Sequence, residues 1–434
     1  MGKILSLDIG SSSCKLLLTE KKANNLDVVF FTEKKYSQPV KDHLNEEMIQ
    51  IISNQVKNII RDFKKINNEI IKCNLSFGGT KVNSTIIESS LENVDSSKII
   101  NQEQINLLTK NNPKINSFTN KKTIHIIPLD YSLDGMIGIR HPLGMHSKKI
   151  TVQNLYVNIN NDYLKTIENI VLEAGLIPNL VTSEIVTSSL FMLNSDEREI
   201  GSLIIDIGAS STNYCYSKKG NPILTGALPV GGSQFSSDIA IAFSTNIEFA
   251  NQLKFETSCT PENERIAEKV IVKQNNSSNT FEVTKRQISQ VLKERAVEIF
   301  TLIKQELIES LGTNNLPDRI ILCGGGSKLE GSVALSRYIF QTKSRLADTK
   351  NIKFLGEDLP LESMNVVSLA NYAHSLNLEN YYAFISDHDN KNKISFQLDN
   401  KNIKNIWSSI ENNVKMLILK ISEGFNKIKS RLRK

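Results

Sequence analysis

Ile4-Leu5-Ser6-Leu7-Asp8-Ile9-Gly10-Ser11-Ser12-Ser13 reads as an apolar strand running into an acid, a glycine and a serine-rich turn. The pattern returns as Leu203-Ile204-Ile205-Asp206-Ile207-Gly208-Ala209-Ser210-Ser211-Thr212. Asp206 stands 198 positions after Asp8, and at the same offset Gly208 follows Gly10, and Ser210 and Ser211 follow Ser12 and Ser13. An internal duplication is the economical explanation. A buried strand that ends this way offers a nucleoside polyphosphate three things: room for close backbone approach, N–H and O–H donors, and a carboxylate facing its metal ion. One such segment is weak evidence, because apolar-Asp-x-Gly also ends ordinary strands. Two of them, facing each other, would grip one phosphate chain from both sides.

A third element lies at Arg319 to Leu329, where Ile320-Ile321-Leu322-Cys323 runs into Gly324-Gly325-Gly326-Ser327 and opens a helix. Three glycines there let a flat ring or a phosphate lie against bare backbone. A tight strand-to-helix turn is the plainer alternative.

At 434 residues the chain exceeds the size at which one core stops growing, so two or three domains are expected. With 40% apolar and 23% charged residues it has the composition of an ordinary globular protein. An acid arrives by Asp8, so the start does not read as a signal peptide, and export is not expected. The five cysteines are scattered and form no CxxC, which fits reduced thiols and no disulfide framework. No histidine joins Cys or Asp at a metal-ligand spacing, and His141 and His146 read as surface loop residues.

Residues 14–31 carry a hairpin signal around Lys21 to Asn25. Apolar spacing predicts helices over 45–64, from Tyr163 to Ala174, around Glu184 to Leu193, over roughly 285–311 and near 364–377. Between about 84 and 160 the texture changes to alternating short strands around an Asn- and Lys-rich stretch at 106–122, which reads as an insertion. Ser386 to Asn402 is polar and reads as a flexible linker.

Beyond it, Ile403, Ile406, Trp407, Ile410, Val414, Leu417, Ile421, Phe425, Ile428 and Leu432 recur every three or four residues and mark one apolar face of a long helix. Residues 401–434 hold nine basic and two acidic side chains, a net charge of +7 against +6 for the whole chain. The remaining residues are nearly neutral, which disfavours a nucleic-acid-binding body. The longest apolar run, Met416-Leu417-Ile418-Leu419, falls far short of a bilayer span, so the helix would lie in a membrane interface. The alternatives are a helix docked on the protein's own body or a coiled coil.

This order of phosphate loop, insertion, second loop, glycine-rich loop, linker and basic amphipathic helix resembles the FtsA family of bacterial actin-like division proteins. The resemblance covers nearly the whole chain. It rests on Ile126 to Tyr131 with Gly138 to Met145 in the insertion, on Asp196 to Gly201, and on Pro229 to Gly232 with Ser237 to Ala240. It implies a duplicated α/β actin-like fold, the fold also of chaperone ATPases and sugar kinases, with two lobes around a nucleotide cleft. Residues 1–83 and 164–196, with a returning helix near 364–385, would form the first lobe, and 84–163 the inserted subdomain. Residues 197–363 would form the second lobe, with a smaller subdomain at about 226–312, followed by the linker at 386–402 and the membrane helix at 403–432.

By the same resemblance Asp8, Gly10, Ser11, Ser12 and Lys15 would hold the β- and γ-phosphates of ATP and the water shell of Mg²⁺. Gly208, Ser210, Ser211 and Thr212 would cover the opposite side. Gly325, Gly326, Ser327 and Leu329 would border the adenine, and Lys254 would approach the ribose. Ser13, Asp206, Ala209 and Gly232 complete the set, with Asp8 and Asp206 meeting the metal through water. The implied partners are FtsZ, further copies of the chain in a filament, anionic lipids and later division proteins. The implied place is the cytoplasmic face of the bacterial inner membrane at mid-cell. One departure stands out: many relatives read Asp-Ile-Gly-Gly-Gly-Thr-Thr-Asp in the second loop, where this chain has Ala209, Ser210 and Asn213. Losing that acid weakens the case for efficient hydrolysis, so weak ATPase activity at most is expected. A PilM-like pilus-assembly ATPase and a small-molecule kinase are the alternatives, and neither explains the basic terminal helix.

Overall fold

The computed structural model describes residues 2–22, 25–40, 45–93, 97–110, 112, 118–263, 268–273, 280–312, 316–348, 352–376 and 382–385. All belong to one compact unit, Met1–Asp389. The linker at 386–402 and the helix at 403–432 lie outside the described residues.

Two half-folds repeat one topology. In the first, β1 (Ile4–Ile9), β2 (Ser13–Lys22) and β3 (Asn25–Lys35) form an antiparallel meander, and β4 (Lys72–Phe77) and β9 (Ile177–Ser183) extend it in parallel, in the order β3-β2-β1-β4-β9. In the second, β10 (Ser202–Ile207), β11 (Thr212–Lys218), β12 (Asn221–Leu228), β15 (Arg319–Cys323) and β16 (Lys343–Leu346) stand in the order β12-β11-β10-β15-β16 with the same directions. Both tight turns close with one hydrogen bond, Gly10 N–H to Ser13 O at 3.0 Å and Gly208 N–H to Ser211 O at 2.9 Å. The duplication read in the sequence is therefore one of backbone geometry.

Helices cover the sheets. Asn45 caps α1 (Glu46–Lys64) by accepting from the Met48 N–H, and Ile52, Val56, Ile59, Ile60 and Phe63 face the sheet. In the second half, α8 (Lys285–Leu311) opens with a Thr284–Gln287 capping box, closes at Gly312, and buries Ile288, Leu292, Ile299, Phe300, Ile303 and Leu307. A third core lies between the halves. There α10 (Met364–Ser375) brings Met364, Val366, Val367 and Ala370 against Ile185 of α4 (Glu184–Met192) and against Ile204, Ile321 and Cys323.

Between β4 and α3 (Asn161–Glu173) stands the inserted subdomain, built from β5 (Val82–Glu92), α2 (Gln102–Leu108), β6 (Lys121–Leu133), β7 (Met136–Ile139) and β8 (Lys149–Asn160). Three of its strands, β5, β6 and β8, are long, not the short alternating ones expected, and β6 stays continuous by absorbing irregularities in two register shifts. One falls at Pro128, which has no N–H to give the ladder. The subdomain leans on the edge strand of the second half. Ser84 Oγ bonds the Thr225 carbonyl at 3.0 Å and the Thr225 N–H at 3.1 Å, and Arg140 pairs with Glu199 at 2.5 Å.

One further difference concerns the returning segment. The reading of 364–385 as a helix holds through Ser375, but Tyr382–Ile385 is a strand, β19. It pairs with β9 through Phe384 and Ile385 and with β6 through Tyr382 and Ala383, joining the first half-fold and the insertion into one ten-stranded sheet. Aromatic and β-branched residues suit a strand, and two open strand edges flank the gap they fill.

Candidate functional site

The carboxyl ends of the parallel strands in both halves point at one cleft of about 740 Å³. From the first half come Asp8, Gly10, Ser11, Ser12 and Lys15. From the second come Asp206, Gly208, Ala209 and Ser211, with Gly232, Lys254, Gly325 and Gly326 around them. Sequence segments up to about 320 residues apart thus converge through the duplicated topology.

At the floor, Asp8 on β1 faces Lys15 on β2, its register partner, with Lys15 Nζ 3.5 Å from Asp8 Oδ2 and 3.9 Å from Glu33. Burial pushes the Asp8 carboxyl above its ordinary range, against the pull of Lys15 and of the Ser76 hydroxyl. Burial pulls the Lys15 ammonium down, yet the charges of Asp8, Glu33, Glu184 and Asp206 together hold it above its usual value. Asp206 is pushed up to about 6 by burial and by the charge of Asp8, while the Asn365 amide, donating to its Oδ2 at 2.7 Å, opposes the rise. Opposite them, α7 (Ile247–Glu256) carries Lys254. Its Nζ donates to the Gly232 carbonyl at 3.0 Å, and burial pulls its pKa down to about 8.

Gly324 holds the third loop against the second. Its φ is +79°, and a Cβ there would stand 2.0 Å from Asp206 Oδ1.

Five of the candidate residues do not line the cleft. Ser13 Oγ turns to Glu33 at 2.6 Å, and Thr212 Oγ1 turns to the Val230 carbonyl at 2.7 Å. Ser210 joins the two loops, donating from its N–H to Ser11 Oγ at 3.1 Å and from its own Oγ to the Val40 carbonyl at 3.0 Å. Ser327 and Leu329 were expected beside an adenine. A one-turn 3-10 helix at Gly325–Lys328 instead rotates them inward, Ser327 Oγ onto the Gly324 carbonyl at 2.7 Å and Leu329 into the core of the second half.

Two polar residues of the cleft stand outside the motifs read in the sequence. Glu184 opens α4 at the carboxyl end of β9, with its carboxylate in the cleft, and Asn365 reaches Asp206 from α10. For Glu184 the signal was present, since it is an acid at the end of a strand like Asp8 and Asp206. No such signal marks Asn365. Among the described residues no three His, Cys, Asp or Glu side chains converge as a metal-binding set.

Two matched half-folds meeting at a cleft lined by paired Asp-x-Gly turns define an actin-like α/β fold with an inserted subdomain. Solved structures agree. The fold is similar to the PilM-PilN type IV pilus biogenesis complex (TM-score 0.58, 16% identity, 85% of this chain and 97% of that one). It is also similar to MreB 5 of Spiroplasma citri bound to AMPPNP (TM-score 0.50, 15% identity, 86% and 97%). The chain belongs to the FtsA family of cell division proteins. The family model for cell division protein FtsA matches residues 203–375, and that for the SHS2 domain inserted in FtsA matches residues 80–157. FtsA of Borreliella burgdorferi is 23% identical over 91% of this chain and 97% of its own length. FtsA of Streptococcus pneumoniae is 26% identical over 80% and 75%. FtsA of Pseudomonas aeruginosa is 29% identical over 54% of this chain, a match that spans 57% of that relative.

Proposed function

We propose that the chain is an ATP-binding, filament-forming division protein that tethers an FtsZ ring to the inner face of the cytoplasmic membrane and recruits later division proteins. The observation that carries the nucleotide part is the pair of matching turns, one from each lobe, that bring Asp8 and Asp206 to one cleft beside the Lys15 cation. Such a donor set fits a polyphosphate with hydrated Mg²⁺, which keeps most of its waters and takes one or two carboxylates plus phosphate oxygens. Asp8 and Asp206 would hold that ion, and it would neutralise phosphate charge. Gly10, Ser11 and Ser12 would face the phosphates from one side, and Gly208 and Ser211 from the other. The nucleotide acts as a switch for subunit contacts more than as a substrate. Among the described residues no helix is long and apolar enough to cross a membrane, and the tether would be the amphipathic segment 403–432.

Titration with a fluorescent ATP analogue and Mg²⁺ tests the site. Asp8→Ala should lower affinity at least 100-fold while circular dichroism stays unchanged. Equal affinity in the variant would remove the assignment.

The same titration has a pH signature. Asp206, near 6, must lose its proton to meet a cation, so affinity should rise as pH climbs from 5 to 7. Lys254, near 8, attracts an anionic ligand only while protonated, so affinity should fall again above pH 8. Each limb changes by at most about tenfold per pH unit. Lys254→Met should flatten the alkaline limb and leave the acid limb in place.

A further inference from the structure

One side chain fastens the two lobes across the floor of the cleft. Asn213, on β11 opposite Asp206, is 4% exposed. Its Oδ1 accepts the Gly79 N–H at 2.8 Å, and its Nδ2 donates to Glu184 Oε1 at 2.6 Å. Asn213 belongs to the second lobe, whereas Gly79 follows β4 and Glu184 opens α4, both in the first. These partners fix the amide's orientation, because a backbone N–H needs an acceptor and an ionised carboxylate needs a donor. Gly78 makes the room, since a Cβ there would stand 1.8 Å from Glu184 Oε1.

The duplication sharpens the point. At the offset of 198, Asn213 is the counterpart of Lys15, which faces Asp8 as Asn213 faces Asp206. An aspartate at 213, as in the second-loop pattern of relatives, would accept from Gly79 but would press a carboxylate against Glu184. One of the two would then have to carry a proton. Two further titratable groups act with Glu184 on this floor. The Lys15 cation is shared among Asp8, Glu33, Glu184 and Asp206, and Cys323, at the end of β15, is a buried thiol whose pKa burial raises.

We infer that Asn213 is a positioning residue that latches the two lobes and aims the Glu184 carboxylate into the cleft, and that an amide at this position lets the latch hold while Glu184 is ionised. The latch is a property of the fold alone. Its effect on nucleotide release rests on the ATP-binding reading above.

Amide hydrogen exchange of Gly79 in the full chain, without nucleotide, at pH 6 and pH 8.5, tests it. After correction for intrinsic exchange, wild type should show the same protection at both pH values. Asn213→Asp should lose at least tenfold more protection at pH 8.5 than at pH 6, because alkaline pH favours two like charges facing each other across the latch. Adding Glu184→Gln should restore protection at both, because the new amide donates to the new carboxylate. Unchanged protection in Asn213→Asp at pH 8.5, or no recovery in the double variant, would overturn the inference. If Asn213→Asp does not fold, recovery of folding by Glu184→Gln supports the latch and its failure overturns it. Dissociation of the fluorescent ATP analogue should follow the same order of variants. If exchange behaves as expected but the analogue binds none of the proteins, the latch stands and the ATP-binding reading falls.

Discussion

Lys15→Ala should destabilise the folded chain by about 3–5 kcal/mol, as expected when one member of a buried ion pair is removed and the other is left behind. Lys15 is 6% exposed, and its ammonium balances Asp8 and Glu33 directly and Glu184 and Asp206 at longer range. Removing it takes from Asp8 and Glu33 the ammonium they share, so Asp8 and Asp206 would titrate higher still. A loss of that size corresponds to a fall in Tm of roughly 5–15 °C. The difference from wild type should shrink between pH 7 and pH 5, because protonated carboxyls no longer need the cation. Asp8→Ala should cost less stability, since Lys15 keeps Glu33 and its other acidic neighbours. Thermal melts followed by circular dichroism check both statements. A Lys15→Ala protein that melts with wild type at pH 7 would mean the floor is not held by this charge balance.

Vesicle binding should disappear when Leu417→Glu and Ile421→Glu are combined. If 403–432 folds as the proposed helix, the stripe from Ile403 to Leu432 would lie along ~45 Å of its axis. Seven net positive charges near an anionic surface contribute up to ~1 kcal/mol each at low salt, a term that salt screens. Insertion of Trp407, Leu417, Ile421 and Phe425 adds a term that salt does not screen. Raised salt should therefore weaken binding without eliminating it, whereas two acids on the apolar face remove it. Trp407 is the only tryptophan in the chain, so indole fluorescence reports on this segment alone. Anionic vesicles should shift its emission to the blue. If emission is already blue in the free protein and vesicles change nothing, the helix is docked on protein and the tether reading fails.

Much of this molecule was legible because the relevant signals are local. The Asp8 and Asp206 turns, the Lys21–Asn25 hairpin and the long helix at 285–311 each declare themselves within a few residues or one period. What stayed hidden depends on distant partners. Thr212 and Asn213 are neighbours on one strand and so point to opposite faces; only the fold shows that 213 faces the cleft and 212 does not. Ser327 and Leu329 sit in the loop expected beside the ligand but turn away, because a single tight helical turn sets their direction. Asn365 carries no motif at all and acts only because α10 returns between the lobes.

The last described strand has a consequence for synthesis of the chain. β19 fills the place between β9 and β6, yet it is made roughly 200 residues after β9, which at 5–20 residues per second is a delay of about 10–40 s. During that interval the nascent first lobe and the nascent insertion hold unpaired strand edges at Leu180–Val181 and His125–Ile126, the condition that invites pairing with a foreign strand. Loss of Tyr382 to Ile385 would make that exposure permanent, so a truncated chain should be lost first to aggregation during biosynthesis, before any defect in its cleft could be measured.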